Sequence, residues 1–124
     1  MATEHDDADV AILGIPFDGA SSFRKGAAEA PAAIRSLTPH TAPFTEEGSP
    51  LGALRIRDLG DLPCEGDWQT ISGGIKAGAR RAFSSSFAVF LGGDHSVTIP
   101  VIETLSEREE GTIGVCTWMH ILIS

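Results

Sequence analysis

The sequence predicts an α/β protein built on a parallel sheet with helices on both faces. Three observations carry that reading. Two short, dense apolar runs, Val10-Ala11-Ile12-Leu13-Gly14-Ile15 and Phe87-Ala88-Val89-Phe90-Leu91, have the length and continuity of buried strands. Between them Ile71, Ile75, Ala79 and Phe83 recur every fourth residue and make one helical stripe. The elements alternate strand, helix, strand, helix, strand, helix, an order that implies parallel strands joined by helical crossovers.

The first strand is followed by a Gly- and Ser-rich loop over residues 16–26. Neither G-x-G-x-x-G nor G-x-x-x-x-G-K-[ST] is present there, which argues against a nucleotide site. A helix is expected over residues 27–37, with Pro31 in its first turn and Ile34 and Leu37 on one face. Residues 38–53 carry three prolines without periodicity and read as loop, with His40 in solvent. Leu54-Arg55-Ile56-Arg57-Asp58-Leu59 alternates apolar and charged, the pattern of a half-exposed strand. Asp67 is placed to cap a helix running to Phe83. Gly73-Gly74 weakens that helix, and Lys76, Arg80 and Arg81 belong to its solvated face.

The second apolar run ends in Gly92-Gly93-Asp94-His95-Ser96, which opens a helix over residues 97–110 with Ile99, Ile102 and Leu105 at helical spacing. The run is expected to be a central, fully buried strand. Two glycines let the backbone turn sharply, so Asp94 and His95 fall at the strand's carboxyl end, where open α/β sheets bind ligands. A lone histidine at such a place is ordinarily a turn residue. The carboxylate beside it offers a partner that could orient an imidazole. Residues 112–115 are expected to begin a further strand.

At 124 residues the chain falls within the size of one domain, and 42% hydrophobic residues suit a globular core. The formal charge of −8 argues against nucleic acid or an anionic membrane as partner. Part of that charge lies in Glu4, Asp6, Asp7 and Asp9, and residues 1–8 read as an acidic tail. Cys64 and Cys116 give neither a disulfide framework nor metal-ligand spacing, and both are expected to be reduced thiols in a cytoplasmic protein. No secretory leader and no membrane span is expected.

Gly-Gly-Asp-His-Ser resembles the first metal-binding motif of the ureohydrolases, the arginase and agmatinase family. Gly14-Ile15-Pro16-Phe17-Asp18-Gly19-Ala20, with Gly26, Pro31, Ile34 and Arg35 after it, resembles the opening strand, loop and helix of agmatinase-type members. Lys25 and residues 27–30 depart from that pattern, where agmatinases more often show Pro-Gly-Thr-Arg and a Gly before the proline. Asp58-Leu59-Gly60-Asp61 is similar to a structural strand of the family. The resemblance covers nearly all of residues 9–115. It implies a three-layer α/β/α sheet of the ureohydrolase type, incomplete in this chain, which would be the amino-terminal part of a single domain. It implies hydrolysis of a guanidino C–N bond in a small cationic substrate, agmatine to putrescine and urea, by water activated between two Mn²⁺ ions. His95 would be one metal ligand, Asp94 would orient it or the metal-bound network, and the complete protein would be a homo-oligomer. Two alternatives stand beside this: a non-catalytic fragment acting only through binding, or an amidinohydrolase for arginine, guanidino acids or formiminoglutamate.

In that family the next strand runs into a second motif, Asp-Ala-His-x-Asp, whose residues bind both metals. Here the chain reads Cys116-Thr117-Trp118-Met119-His120-Ile121-Leu122-Ile123-Ser124, and no acidic residue follows Glu110. The single codons of Trp118 and Met119, followed by that of His120, read from the last base of the Trp codon as GAT GCA. Those triplets encode Asp-Ala whatever the other codons are, and the triplet after them encodes His or Tyr. With permitted codons the frame extends to His-Leu-Asp-Ala-His-Ile-Asp-Leu. The expectation is therefore a frameshift shortly before Cys116, with residues 116–124 an out-of-frame tail in which His120 is no ligand.

Overall fold

The computed structural model describes residues 8–118. Three parallel strands, β1 (Val10–Ile15), β2 (Ile56–Asp61) and β3 (Phe87–Gly92), form one sheet in the order β2-β1-β3. Val10 stands opposite both Ile56 and Phe87, and the β1–β3 register continues unbroken to Ile15 opposite Gly92. The β1–β2 register slips between Ile12 and Gly14, where Gly60 adopts a φ of 80°. Gly14 makes room at that slip for the Asp61 carboxylate, since a Cβ there would sit 1.8 Å from Asp61 Oδ1.

Helices lie on both faces. Ala11, Leu13 and Ile15 alternate onto one face and are buried under α2 (Trp68–Ala82), whose stripe contributes Ile71, Ile75 and Ala79. Gly78 allows close approach, since a Cβ would stand 2.9 Å from Leu13 Cδ2. Asp67 caps α2 as expected, accepting from Thr70 N at 2.8 Å. The helix α3 (Thr98–Arg108) packs beside α2 and completes a cluster of Ile15, Ile71, Ile75, Val97 and Val101. Phe83 meets Phe90 edge-on at 5.4 Å. The opposite face carries α1 (Ala30–Leu37), whose Arg35 reaches the carboxylates of Asp58 and Asp61 on β2.

Several boundaries and faces differ from the sequence reading. Residues 27–37 begin with a 3₁₀ turn, Ala27–Glu29, before α1 starts; Pro31 is buried in its first turn, while Ile34 and Leu37 are exposed. Loop 38–53 contains a 3₁₀ turn at Thr38–His40 and an isolated bridge between Phe44 and Pro50, with His40 in solvent as expected. β2 starts two residues late, because its pairing is set by where β1 begins. α3 does not bury Ile99, which is 57% exposed. With Val97 just before it, the helix turns Pro100, Val101 and Thr104 inward, and this second row packs on α2. β3 is not fully buried: among the described residues it pairs with β1 alone, and Phe87 at its start is 65% exposed. Residues 112–115 form no strand, and no neighbour among the described residues pairs with them.

Lys76 and Arg80 lie on the solvated side but also bridge the α2–α3 seam, to Glu103 at 2.7 Å and Glu107 at 3.4 Å. Asp9 does not belong to a free tail. Its carboxylate accepts from Arg55 N at 2.9 Å and pairs with the Arg55 guanidinium, which holds it below the usual carboxylate range. The rest of the proposed acidic tail, residues 1–7, lies outside the described residues, as do residues 119–124 of the proposed out-of-frame tail; Cys116, Thr117 and Trp118 are exposed. Cys64 and Cys116 are free thiols, and burial pushes the Cys64 thiol up. Among the described residues no helix is long and apolar enough to cross a membrane.

Candidate functional site

β3 delivers the backbone to the sheet's carboxyl edge, and the glycine pair there is a steric requirement. A Cβ on Gly93 would stand 2.0 Å from the carbonyl oxygen of Phe17, and one on Gly92 would meet Val97 Cγ2 at 2.8 Å. The loops after β1 and β3 can therefore close on each other only because position 93 carries no side chain. Asp94 N donates to Phe17 O at 2.8 Å across that contact.

Asp94 then caps a 3₁₀ turn, His95–Val97, that leads into α3. Its Oδ1 accepts from Ser96 N at 2.9 Å and from the Ser96 hydroxyl. Its Oδ2 accepts from Ala20 N at 2.8 Å, in the loop after β1. All of these bonds go to the two loops and none to the imidazole. Asp94 fixes the turn that presents His95.

His95 is exposed, and its ring makes no hydrogen bond among the described residues. It stands between two hollows. One, about 360 Å³, is bounded by the Gly92–Asp94 turn and by Val97 and Val101; the other, about 420 Å³, lies along Ile99, Ile102 and Glu103. An imidazole nitrogen at a hollow's rim suits a metal ligand. The set is incomplete: among the described residues no three His, Cys, Asp or Glu side chains gather where a metal could be held. The residues present fit one ligand of a manganese site and do not complete one.

Sequence reasoning missed Asp18. Its Oδ2 accepts from Gly26 N at 2.7 Å and Ala28 N at 3.4 Å, and its carbonyl accepts from Lys25 Nζ at 2.7 Å. The two amides, Gly26 first, hold its carboxyl below the ordinary range. Gly26 takes a φ of 126°, open only to glycine, so the loop closes on its own first acidic residue. An aspartate just before a loop that leads into a helix is a recognisable acceptor for that helix's free amides.

Residues 8–117 match the Arginase family model. The chain belongs to the arginase family. Among curated members, an agmatinase from Pyrococcus horikoshii is 32% identical over 82% of this chain and 38% of its own length. A formimidoylglutamase from Halobacterium salinarum is 32% identical over 91% of this chain and 37% of its own. Among solved structures, the arginase from Medicago truncatula superposes with a TM-score of 0.72 at 34% identity, covering 82% of this chain and 35% of that one. Trypanosoma cruzi formiminoglutamase, solved with Mn²⁺, shares the fold at a TM-score of 0.78 and 22% identity, over 91% of this chain and 40% of that one. The chain spans well under half the length of these arginase-family proteins. Its three strands and their helices are a partial sheet of the arginase fold.

Proposed function

We propose that this chain is the amino-terminal part of an arginase-family amidinohydrolase that cleaves a guanidino C–N bond in a small cationic substrate, agmatine to putrescine and urea. The observation that carries the reading is His95: the Gly-Gly-Asp-His-Ser motif places an imidazole with no hydrogen-bond partner among the described residues at the carboxyl edge of β3, at the rim of two hollows. When bound, a pair of Mn²⁺ ions would supply a water of lowered pKa. This chain's own contribution is to hold one ligand nitrogen at the sheet edge and to keep the turn around it rigid through Gly93 and Asp94. The complete protein acts as a cytoplasmic homo-oligomer.

The agmatinase assignment is supported by the loop over residues 14–20 and by agmatinases among the relatives. Formimidoylglutamase and arginase are relatives of similar identity, so arginine, guanidino acids and formiminoglutamate belong in the same assay. The 124-residue chain by itself binds Mn²⁺ weakly and turns over none of them, because its described residues gather no group of three His, Cys, Asp or Glu side chains that could hold a metal. Restoring the alternative frame before Cys116 supplies Asp-Ala-His-Ile-Asp. In that completed protein, His95→Ala should abolish most agmatine hydrolysis and lower bound manganese while leaving the melting temperature nearly unchanged. Unchanged turnover with two metals per chain would show that the motif is only a turn. Two tight Mn²⁺ sites in the 124-residue chain, or urea release from it, would contradict the reading of the short form.

A further inference from the structure

We infer that Asp94 is a positioning residue that fixes the loop after β1 as a wall of the substrate site, acting through Ala20 rather than through the imidazole or a metal. This deepens the proposed function and rests on it. The loops after β1 and β3 lead to helices on opposite faces of the sheet, so nothing in the strand pairing itself keeps them together; such divergence makes the ligand crevice of open α/β sheets.

Here the crevice is bridged. The Asp94 carboxylate joins Ser96 N at 2.9 Å to Ala20 N at 2.8 Å, and Ala20 lies 74 residues from Asp94 in sequence. The Asp94 amide adds a bond to Phe17 O at 2.8 Å, at the contact that Gly93 permits. Asp18 closes the far end of the same loop on Gly26 and Ala28. The loop is thereby fastened at both ends, and only its tip, with Phe23 at 90% exposure, stands free. The two bridged loops border an open hollow of about 370 Å³, bounded by Phe17, Ala20 and Ser96 on the loops and by Trp68 and Ile99 on the helices. That volume is in the range that holds a small ligand, and its apolar lining suits the hydrocarbon part of a guanidino compound. Ser96 belongs both to this wall and to the turn that carries His95, so the distance from wall to imidazole is set by the Asp94 carboxylate.

The test compares wild type, Asp94→Asn, Ser96→Ala and Ala20→Pro. In the 124-residue chain, amide exchange at Ala20 should quicken about tenfold or more in Asp94→Asn, as expected for losing a bond to a charged acceptor. Ser96→Ala should leave Ala20 slow. In the frame-restored protein, Asp94→Asn and Ala20→Pro should both raise KM for the guanidino substrate several-fold, with bound manganese unchanged and kcat affected less. Unchanged exchange at Ala20 in Asp94→Asn would overturn the bridge. Loss of manganese with KM held would overturn the positioning role and place the carboxylate on the metal directly. No turnover of any guanidino substrate by the frame-restored wild type would sink the functional reading and the wall's role with it, while Ala20 exchange would still report the bridge by itself.

Discussion

Replacing Arg35 with Gln should loosen α1 from β2 by an amount the geometry bounds. The guanidinium donates to both Asp58 oxygens at 2.8 Å, through Nε and Nη2, and its Nη1 also meets Asp61. A bidentate pair shared with a second carboxylate should exceed an ordinary surface pair of about 0.2 to 1 kcal/mol. The side chains are still 25% and 43% exposed for Arg35 and Asp58, so water screens part of the attraction. The loss should therefore be about 1 to 2 kcal/mol, a factor of roughly 5 to 30 in the folded-to-unfolded ratio. The pH dependence follows from Asp58. Arg35, and secondarily the Gly60 amide, hold its carboxyl below the ordinary range. A depressed carboxylate contributes stability that is complete above its unfolded value and is lost as pH falls through its folded one. The gap between wild type and Arg35→Gln should be full at pH 7 and should narrow once pH drops below about 3.9. Urea unfolding at neutral and acid pH, at low protein concentration, measures it. Equal midpoints at neutral pH, or a gap that does not change with acid, would refute the reasoning.

Ile75→Ala should cost about 3 kcal/mol, because Ile75 is 1% exposed at the centre of the β1–α2–α3 cluster and would leave a cavity; a urea titration reads this directly. Gly93→Ala should destabilise more than a typical loop change, since its Cβ would press on the Phe17 carbonyl, a backbone atom that cannot swing aside; a melting temperature equal to wild type would count against the close contact. The 124-residue chain should self-associate through the open edge of β3, where Phe87 is exposed. Size exclusion should show species above the monomer that diminish in Phe87→Lys, and a sharp monomer peak with cooperative melting would dispose of the idea.

Patterns that depend on local chemistry were legible in the sequence. The apolar run of β1, the Asp67 cap and the Ile71-Ile75-Ala79 stripe each specify their element without reference to the rest of the chain. What was not legible depends on partners. Nothing local to residues 87–91 tells whether a strand has one neighbour or two. Nothing local to α3 decides between the row of Ile99, Ile102 and Leu105 and the row of Val97, Val101 and Thr104, because both recur at helical spacing and the hydroxyl of Thr104 can be satisfied within the helix, donating to Pro100 O. The choice follows from how Asp94 caps the entering turn and which row then meets α2. The site divides in the same way. The motif around His95 was visible as a string, but the bonds from Asp94 to Ala20 and from Asp18 to Gly26 join residues the string does not connect.

Strand order also governs the timing of assembly. β1 is the middle of the sheet, yet it leaves the ribosome first and has no partner of its own. At about 5 to 20 residues per second the start of β2 follows the end of β1 by roughly 2 to 8 seconds, and β3 takes longer still. Throughout that interval Ala11, Leu13 and Ile15, all buried in the finished structure, belong to a nascent segment with both backbone edges open. Loop closure must precede any reward from pairing, so the first stable nucleus has to wait for α2 and β3. The opening residues are therefore the ones most in need of a holding chaperone during synthesis, and polar substitutions on β1 would be felt first as lost yield of soluble protein.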